Sequence, residues 1–167
     1  MKTKPLFLIA IIASLLTCAP QFVSARSSIP TPMTDVSLSK AISDAEKVAQ
    51  SNPNWCVMLA DGFSMAPHYG ANSVLIIDQT NFRQLEAGMI VVYRDQEGDL
   101  VGHQLLARTA DGWTAQGVNN PGEDPELVTP SNFRGVIFGV LNTRGADAMG
   151  LRIAQQKGLP RVIGKTY

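Results

Sequence analysis

From Trp55 to Asn142 the chain is cut into six short runs rich in β-branched and aromatic residues: Trp55 to Ala60, Ser73 to Asp78, Met89 to Arg94, Leu100 to Thr109, Trp113 to Val118 and Val136 to Asn142. Glycine, proline, asparagine or aspartate stands between them, so the chain must turn before any run is long enough for a packed helix. Asp111-Gly112 lies between two of the runs and is a strong hairpin turn. The expectation is a mainly β domain, largely antiparallel, over residues 55–142. One other periodicity is present. Leu38, Ala41, Ile42, Ala45, Val48 and Ala49 recur at helical spacing, with Lys40, Asp44 and Lys47 outside that stripe. This predicts one N-terminal amphipathic helix within residues 34–54, capped by Thr34 or Asp35, running to about Gln50 and ended by Asn52-Pro53-Asn54. Residues 143–167 carry Gly145, Gly150, Gly158 and Gly164 in a mixed background and read as a C-terminal extension without an assigned structure.

The N-terminal segment addresses location. Lys2 and Lys4 precede an apolar run from Pro5 to about Ala19, and Val23-Ser24-Ala25 has the small-x-small form of a secretory cleavage site. Residues 1–25 are expected to be a Sec-type signal peptide that delivers the chain to the periplasm or the exterior. The run is shorter than the roughly 20 residues that span a bilayer comfortably, and retention of residues 5–22 as an anchor is the alternative. Residues 26–33, with Ser27-Ser28-Ile29-Pro30-Thr31-Pro32, read as a linker. Losing Lys2 and Lys4 makes the balance of 14 basic and 14 acidic side chains slightly acidic. That charge recommends neither nucleic acid nor an anionic membrane as a partner. Cys18 would leave with the signal, so Cys56, within an apolar run, has no cysteine to pair with. No metal-ligand spacing, phosphate-binding glycine loop or repeat is present, and no cofactor is expected.

The chemistry centres on Gly62-Phe63-Ser64-Met65-Ala66-Pro67, a serine in a tight turn. A serine hydroxyl becomes a nucleophile only beside a base that takes its proton and a third group that orients the base. His68 and His103 are the two histidines, and there is no lysine between Lys47 and Lys157. Ser64 with His103 is the economical pairing. Lys157 and Lys165 are the lysines that follow the serine. His68, beside Pro67 and Tyr69, reads as an exposed rim residue. The backbone around Gly62, Phe63 and Met65 is the expected source of oxyanion donors.

The stretch from about Trp55 to Leu141 resembles the signal peptidase I superfamily of serine peptidases, which includes the LexA-like self-cleaving repressors. The matching pieces are Ser64-Met65-Ala66-Pro67, Gly70, Gly88-Met89-Ile90-Val91-Val92-Tyr93 and Val101-Gly102-His103-Gln104, in that order. The closest motif is that of the archaeal and endoplasmic-reticulum type, which uses a histidine base followed by an Asn-Asn loop ending in aspartate. Here Gly117-Val118-Asn119-Asn120-Pro121-Gly122-Glu123-Asp124 places Asp124 on that last position. The resemblance implies the antiparallel coiled β domain of the signal peptidase/LexA-like type. It also implies Ser64 as nucleophile, His103 as general base and Asp124 as orienter. Met89, Gln104 and Val118 stand where the pattern has aspartate, arginine and aspartate. The expected function is an exported serine endopeptidase that cleaves an extended peptide, the peptide adding as a strand beside the segment that leads to Ser64. A peptide-binding relative without activity and a membrane-anchored processing enzyme are the alternatives.

Overall fold

The structure is a computed structural model, and it describes residues 30–167. The expected signal peptide, Cys18 and the start of the linker lie outside the described residues. Seven strands form the sheet: β1 (Trp55–Gly62), β2 (Val74–Asp78), β3 (Ile90–Arg94), β4 (Leu100–Arg108), β5 (Trp113–Gln116), β6 (Phe133–Leu141) and β7 (Arg161–Gly164). Two helices, α1 (Leu38–Ala49) and α2 (Ala148–Gln156), accompany them. The mainly β expectation holds, and the second helix was not foreseen. The strands run β3-β6-β2-β1-β7-β4 around the sheet, and β3 also pairs with β4. Six strands therefore close into a barrel, with β5 paired to the far half of β4 through the Asp111-Gly112 hairpin.

Antiparallel pairing dominates, but β7 runs parallel to both β1 and β4. Residues 143–167 therefore supply α2 and the strand that seals the barrel. The sequence gives little warning of this. β7 is four residues long, and its single fully buried side chain is Val162.

Side-chain alternation explains where the core lies. In β1 and β2, Val57, Leu59, Val74 and Ile76 face α1 and join Leu38, Ala41, Ile42 and Ala45. Their neighbours Met58, Ala60, Leu75 and Ile77 face the other way, into a cluster with Met65, Tyr69, Val92 and Val162. Both faces of these strands are covered, so their sequences are continuous apolar runs rather than alternating ones. A third cluster of Val91, Tyr93, Val101, Leu105, Trp113 and Val128 lies under β3, β4 and β5.

The helix start differs from expectation. Ser37 is the N-cap of α1, its hydroxyl accepting from the Lys40 N–H at 3.2 Å, whereas Thr34 instead donates to the Asn142 carbonyl at 2.6 Å. Val48 is 43% exposed and lies off the buried stripe. Asp147 caps two helices at once: Oδ1 accepts from Gly150 N–H at 2.7 Å and Oδ2 from Leu38 N–H at 2.8 Å. Gly150 permits this approach, since a Cβ there would lie 2.6 Å from Leu38 Cβ. The linker also packs more than its composition suggests, with Thr31 seated against Gly70.

Candidate active site

Ser64 stands two residues past the end of β1. Gly62 closes the strand at φ 101°, a left-handed backbone that glycine adopts without the usual Cβ penalty. The main chain then turns so that Ala66 N–H donates to the Phe63 carbonyl at 3.1 Å. His103 lies in the middle of β4, on the same face as Val101 and Leu105, where its ring has no exposed surface. The other face of β4 explains Gly102: a Cβ there would stand 2.5 Å from the Tyr69 hydroxyl and 2.7 Å from Val162 Cγ1. Asp124 comes from the loop after β5, which is tied back by Asp124 N–H donating to the Ala115 carbonyl at 2.8 Å.

These three side chains, 60 residues apart in the chain from first to last, form one hydrogen-bonded line. Asp124 Oδ2 lies 2.7 Å from His103 Nδ1, and His103 Nε2 lies 2.9 Å from Ser64 Oγ. A carboxylate can only accept, so the neutral ring carries its proton on Nδ1 and leaves Nε2 free to accept from the serine hydroxyl. That is the tautomer a general base needs.

Tyr93 completes the site from β3. Its hydroxyl donates to the same Asp124 Oδ2 at 2.7 Å. Burial, reinforced by the adjoining carboxylate, pushes the Tyr93 phenol well above its ordinary range, so it remains a donor. A buried carboxylate is costly unless its oxygens are bonded. Here Oδ2 has two donors, while Oδ1 is buried without a partner among the described residues.

The Asn-Asn loop holds the serine turn. Asn119 N–H donates to the Ser64 carbonyl at 2.7 Å, and its side-chain amide donates to the Phe63 carbonyl at 3.3 Å. Asn120 reaches the other way, to the Lys165 carbonyl at 2.8 Å. Gly117 lets this loop lie flat on the histidine, because a Cβ there would sit 2.9 Å from His103 Nε2. Among the described residues the N–H groups of Ser64 and Met65 donate to no protein acceptor and are free to donate to another group. Phe63 is 60% exposed at the rim, and Gly62 turns the chain at positive φ.

The remaining candidates fall outside this line. His68 is exposed, and among the described residues it bonds through its backbone N–H, to the Met65 carbonyl at 2.8 Å. Lys157 pairs with Glu46 at 2.9 Å. Lys165 is ringed by Asp95, Glu97 and Asp99, which raise its pKa and fix it as a cation. A lysine base must instead be stripped of its proton by burial away from carboxylates. Those three carboxylates are grouped closely enough to suggest a metal site, but the lysine ammonium fills it. Cys56 is half-buried and burial pushes its thiol up, which lowers the share of reactive thiolate. Of the three positions that depart from the pattern, Gln104 donates to the Gly88 carbonyl at 3.0 Å, Met89 packs against the third cluster and Val118 is exposed.

Sequence reasoning missed Tyr93 and Asn120. Tyr93 looked like any aromatic residue in a strand, and the asparagines carried a motif without a stated task. The chain matches no protein-family model, no curated protein and no solved structure.

Proposed function

We propose that the chain is an exported serine endopeptidase that cleaves an extended peptide segment through an acyl-enzyme. The observation that carries this reading is the line of hydrogen bonds from Asp124 through both nitrogens of His103 to Ser64. In the proposed reaction Ser64 Oγ attacks the scissile carbonyl while its proton passes to His103 Nε2. The imidazolium is stabilised by Asp124, which is in turn oriented by Tyr93. The oxyanion forms against the Ser64 and Met65 N–H groups, each such donor being worth on the order of 10²–10³ in rate. Collapse returns the proton from His103 to the leaving amine and leaves an ester on Ser64. A water activated by the same histidine then releases the acid.

By this reading the barrel is the coiled β domain of the signal peptidase I and LexA-like superfamily, in its histidine-using branch. The order of serine, strand, histidine and Asn-Asn loop supports that placement. Export follows from residues 1–25, and finding Arg26 as the mature N-terminus by mass spectrometry is its check. Among the described residues no helix is long and apolar enough to cross a membrane.

A fluorophosphonate probe tests the chemistry, because it esterifies only an activated serine hydroxyl. Labelling confined to Ser64 and lost in His103→Ala supports the peptidase reading; absence of labelling both in the wild type and in variants that uncover Ser64 sinks it. The near-complete burial of Ser64, at 3% exposure, favours one other reading, a peptide-binding relative without turnover. Such a relative would bind peptide and never label.

A further inference from the structure

An extended substrate beside the strand that leads to Ser64 must add to a free edge of β1. One edge is taken by β2, from Trp55 opposite Asp78 to Leu59 opposite Val74. The other edge, Leu59 to Gly62, is taken by the chain's own β7, residue for residue from Arg161 to Gly164. The same segment touches β4 at Val101 opposite Ile163, two residues before His103. Thus β7 lies in the groove between the strand that delivers the nucleophile and the strand that delivers the base.

Its path runs onto the nucleophile. Gly164 stands opposite Gly62, and a Cβ on Gly164 would lie 2.9 Å from Ser64 Oγ and 3.1 Å from Ser64 N. Val162 is buried against Met65 and Tyr69. Beyond Gly164 the chain is held at three points. The Lys165 carbonyl accepts from Asn120 Nδ2 at 2.8 Å. Its ammonium bonds Asp95, Glu97 at 2.7 Å and Asp99 at 3.1 Å, all on the β3–β4 turn. The Tyr167 ring stands edge-on to His103, 6.2 Å between centroids. Ser64 and His103 are consequently closed to any incoming peptide.

We propose that residues 161–167 are a resident pseudosubstrate occupying the peptide groove, and that the Asp95, Glu97 and Asp99 cluster holding Lys165 selects a lysine or arginine in the peptide that replaces it. The proposal rests on the peptidase reading for the identity of the groove. The occupant is suited to leave: it pairs over four residues with one fully buried side chain, and the ion cluster that holds Lys165 is open to solvent at Glu97 and Asp99. An acidic cluster around one ammonium keeps excess negative charge, which suits exchange of one basic side chain for another.

The test uses the full chain and two readouts. The rate of Ser64 labelling by a fluorophosphonate is compared among wild type, Lys165→Glu and Lys165→Arg, and a fluorescent peptide of residues 161–167 is titrated into each while its anisotropy is followed. Lys165→Glu is expected to label at least tenfold faster than wild type and to bind the peptide, whereas Lys165→Arg stays near wild type in both. Adding the peptide to Lys165→Glu should slow labelling again, and a peptide with glutamate at the lysine position should not bind. Should Lys165→Glu fail to fold, the Glu97→Lys and Asp99→Lys double variant on the exposed turn loosens the same clamp and should label faster too. Failure of Lys165→Glu to bind the peptide overturns the proposal, whatever its labelling rate. In the double variant, whose cluster is reversed in charge, the peptide with glutamate at the lysine position should bind in preference, and its failure to do so overturns the proposal equally. Peptide binding without labelling in any variant retains the groove and retires the peptidase reading.

Discussion

At the scale of single residues, the proposed nucleophile Ser64 and base His103 are expected to act as one unit. Ser64→Ala and His103→Ala should each remove nearly all turnover, and the double variant should be hardly worse than either, as measured by steady-state peptide hydrolysis. Asp124→Asn should cost on the order of 10³–10⁴ in kcat with folding intact, because the amide no longer stabilises the imidazolium. Tyr93→Phe removes one charge-assisted hydrogen bond worth about 1.5 kcal/mol, and about tenfold in kcat is the expected loss. His68→Ala should leave kcat within about tenfold, since its side chain is exposed and off the line. Full activity in Asp124→Asn would move the orienting role elsewhere in the 119–124 loop. Ser64 with His103 was legible because the chain has two histidines and no lysine between Lys47 and Lys157, whereas Asp124 was legible only through the resemblance of the Asn119-Asn120 loop. Tyr93 was not, because a strand tyrosine has the same sequence signature whether its hydroxyl meets solvent or a buried carboxylate.

At the scale of elements, two joints carry predictions. Asp147 accepts backbone N–H groups from Gly150, Leu38 and Ser39, with Arg144 nearby, and the Gly150 bond is the chief reason its carboxyl stays below the ordinary carboxylate range. A depressed folded pKa means the stabilisation is complete above the unfolded value near 3.9 and is lost as pH falls through the folded value. Urea midpoints followed from pH 5 to pH 3 should therefore fall, and Asp147→Asn should lower the midpoint at pH 5 and flatten the slope. Gly135 is the second joint. It sits where β6 passes from β2 to β3 through a register shift, and a Cβ there would meet Ile77 Cγ2 at 2.6 Å and the Asp78 carbonyl at 2.7 Å. Gly135→Ala is expected to destabilise by about 1–3 kcal/mol in urea titrations, the usual range for forced overpacking. The six strand runs and α1 were readable from period and turn residues. Their ends were not, since Ser37 caps α1 through its own φ/ψ and hydroxyl geometry while Thr34 and Asp35 offer the same chemistry one turn earlier.

At the scale of the molecule, the barrel and the helical layer share β1 and β2, whose opposite faces feed both cores. The two should unfold together. Trp55 lies with the helix-facing cluster and Trp113 with the cluster under β4, so single-tryptophan variants Trp55→Phe and Trp113→Phe should report the same urea midpoint as far-UV circular dichroism. Separate midpoints would show that the layers melt independently. What the sequence determined by itself was local: strand length, hairpin turns, one amphipathic helix, and a serine, histidine and aspartate in an order that chemistry can use. The strand, turn and helix signals each reside within a dozen neighbouring residues, where periodicity and turn propensity act, whereas the three side chains are spread over 60 residues and were linked through the order of their motifs. The tertiary structure alone decided that Arg161–Gly164 closes the barrel beside β1, that Tyr93 and His103 share one carboxylate oxygen, and that Lys165 fills a pocket of three acids 66 to 70 residues away. The physical reason is that a four-residue strand and a single lysine have no periodicity of their own. Their places are set by which distant edge is left unpaired and which distant charges are left unbalanced once the longer elements have packed.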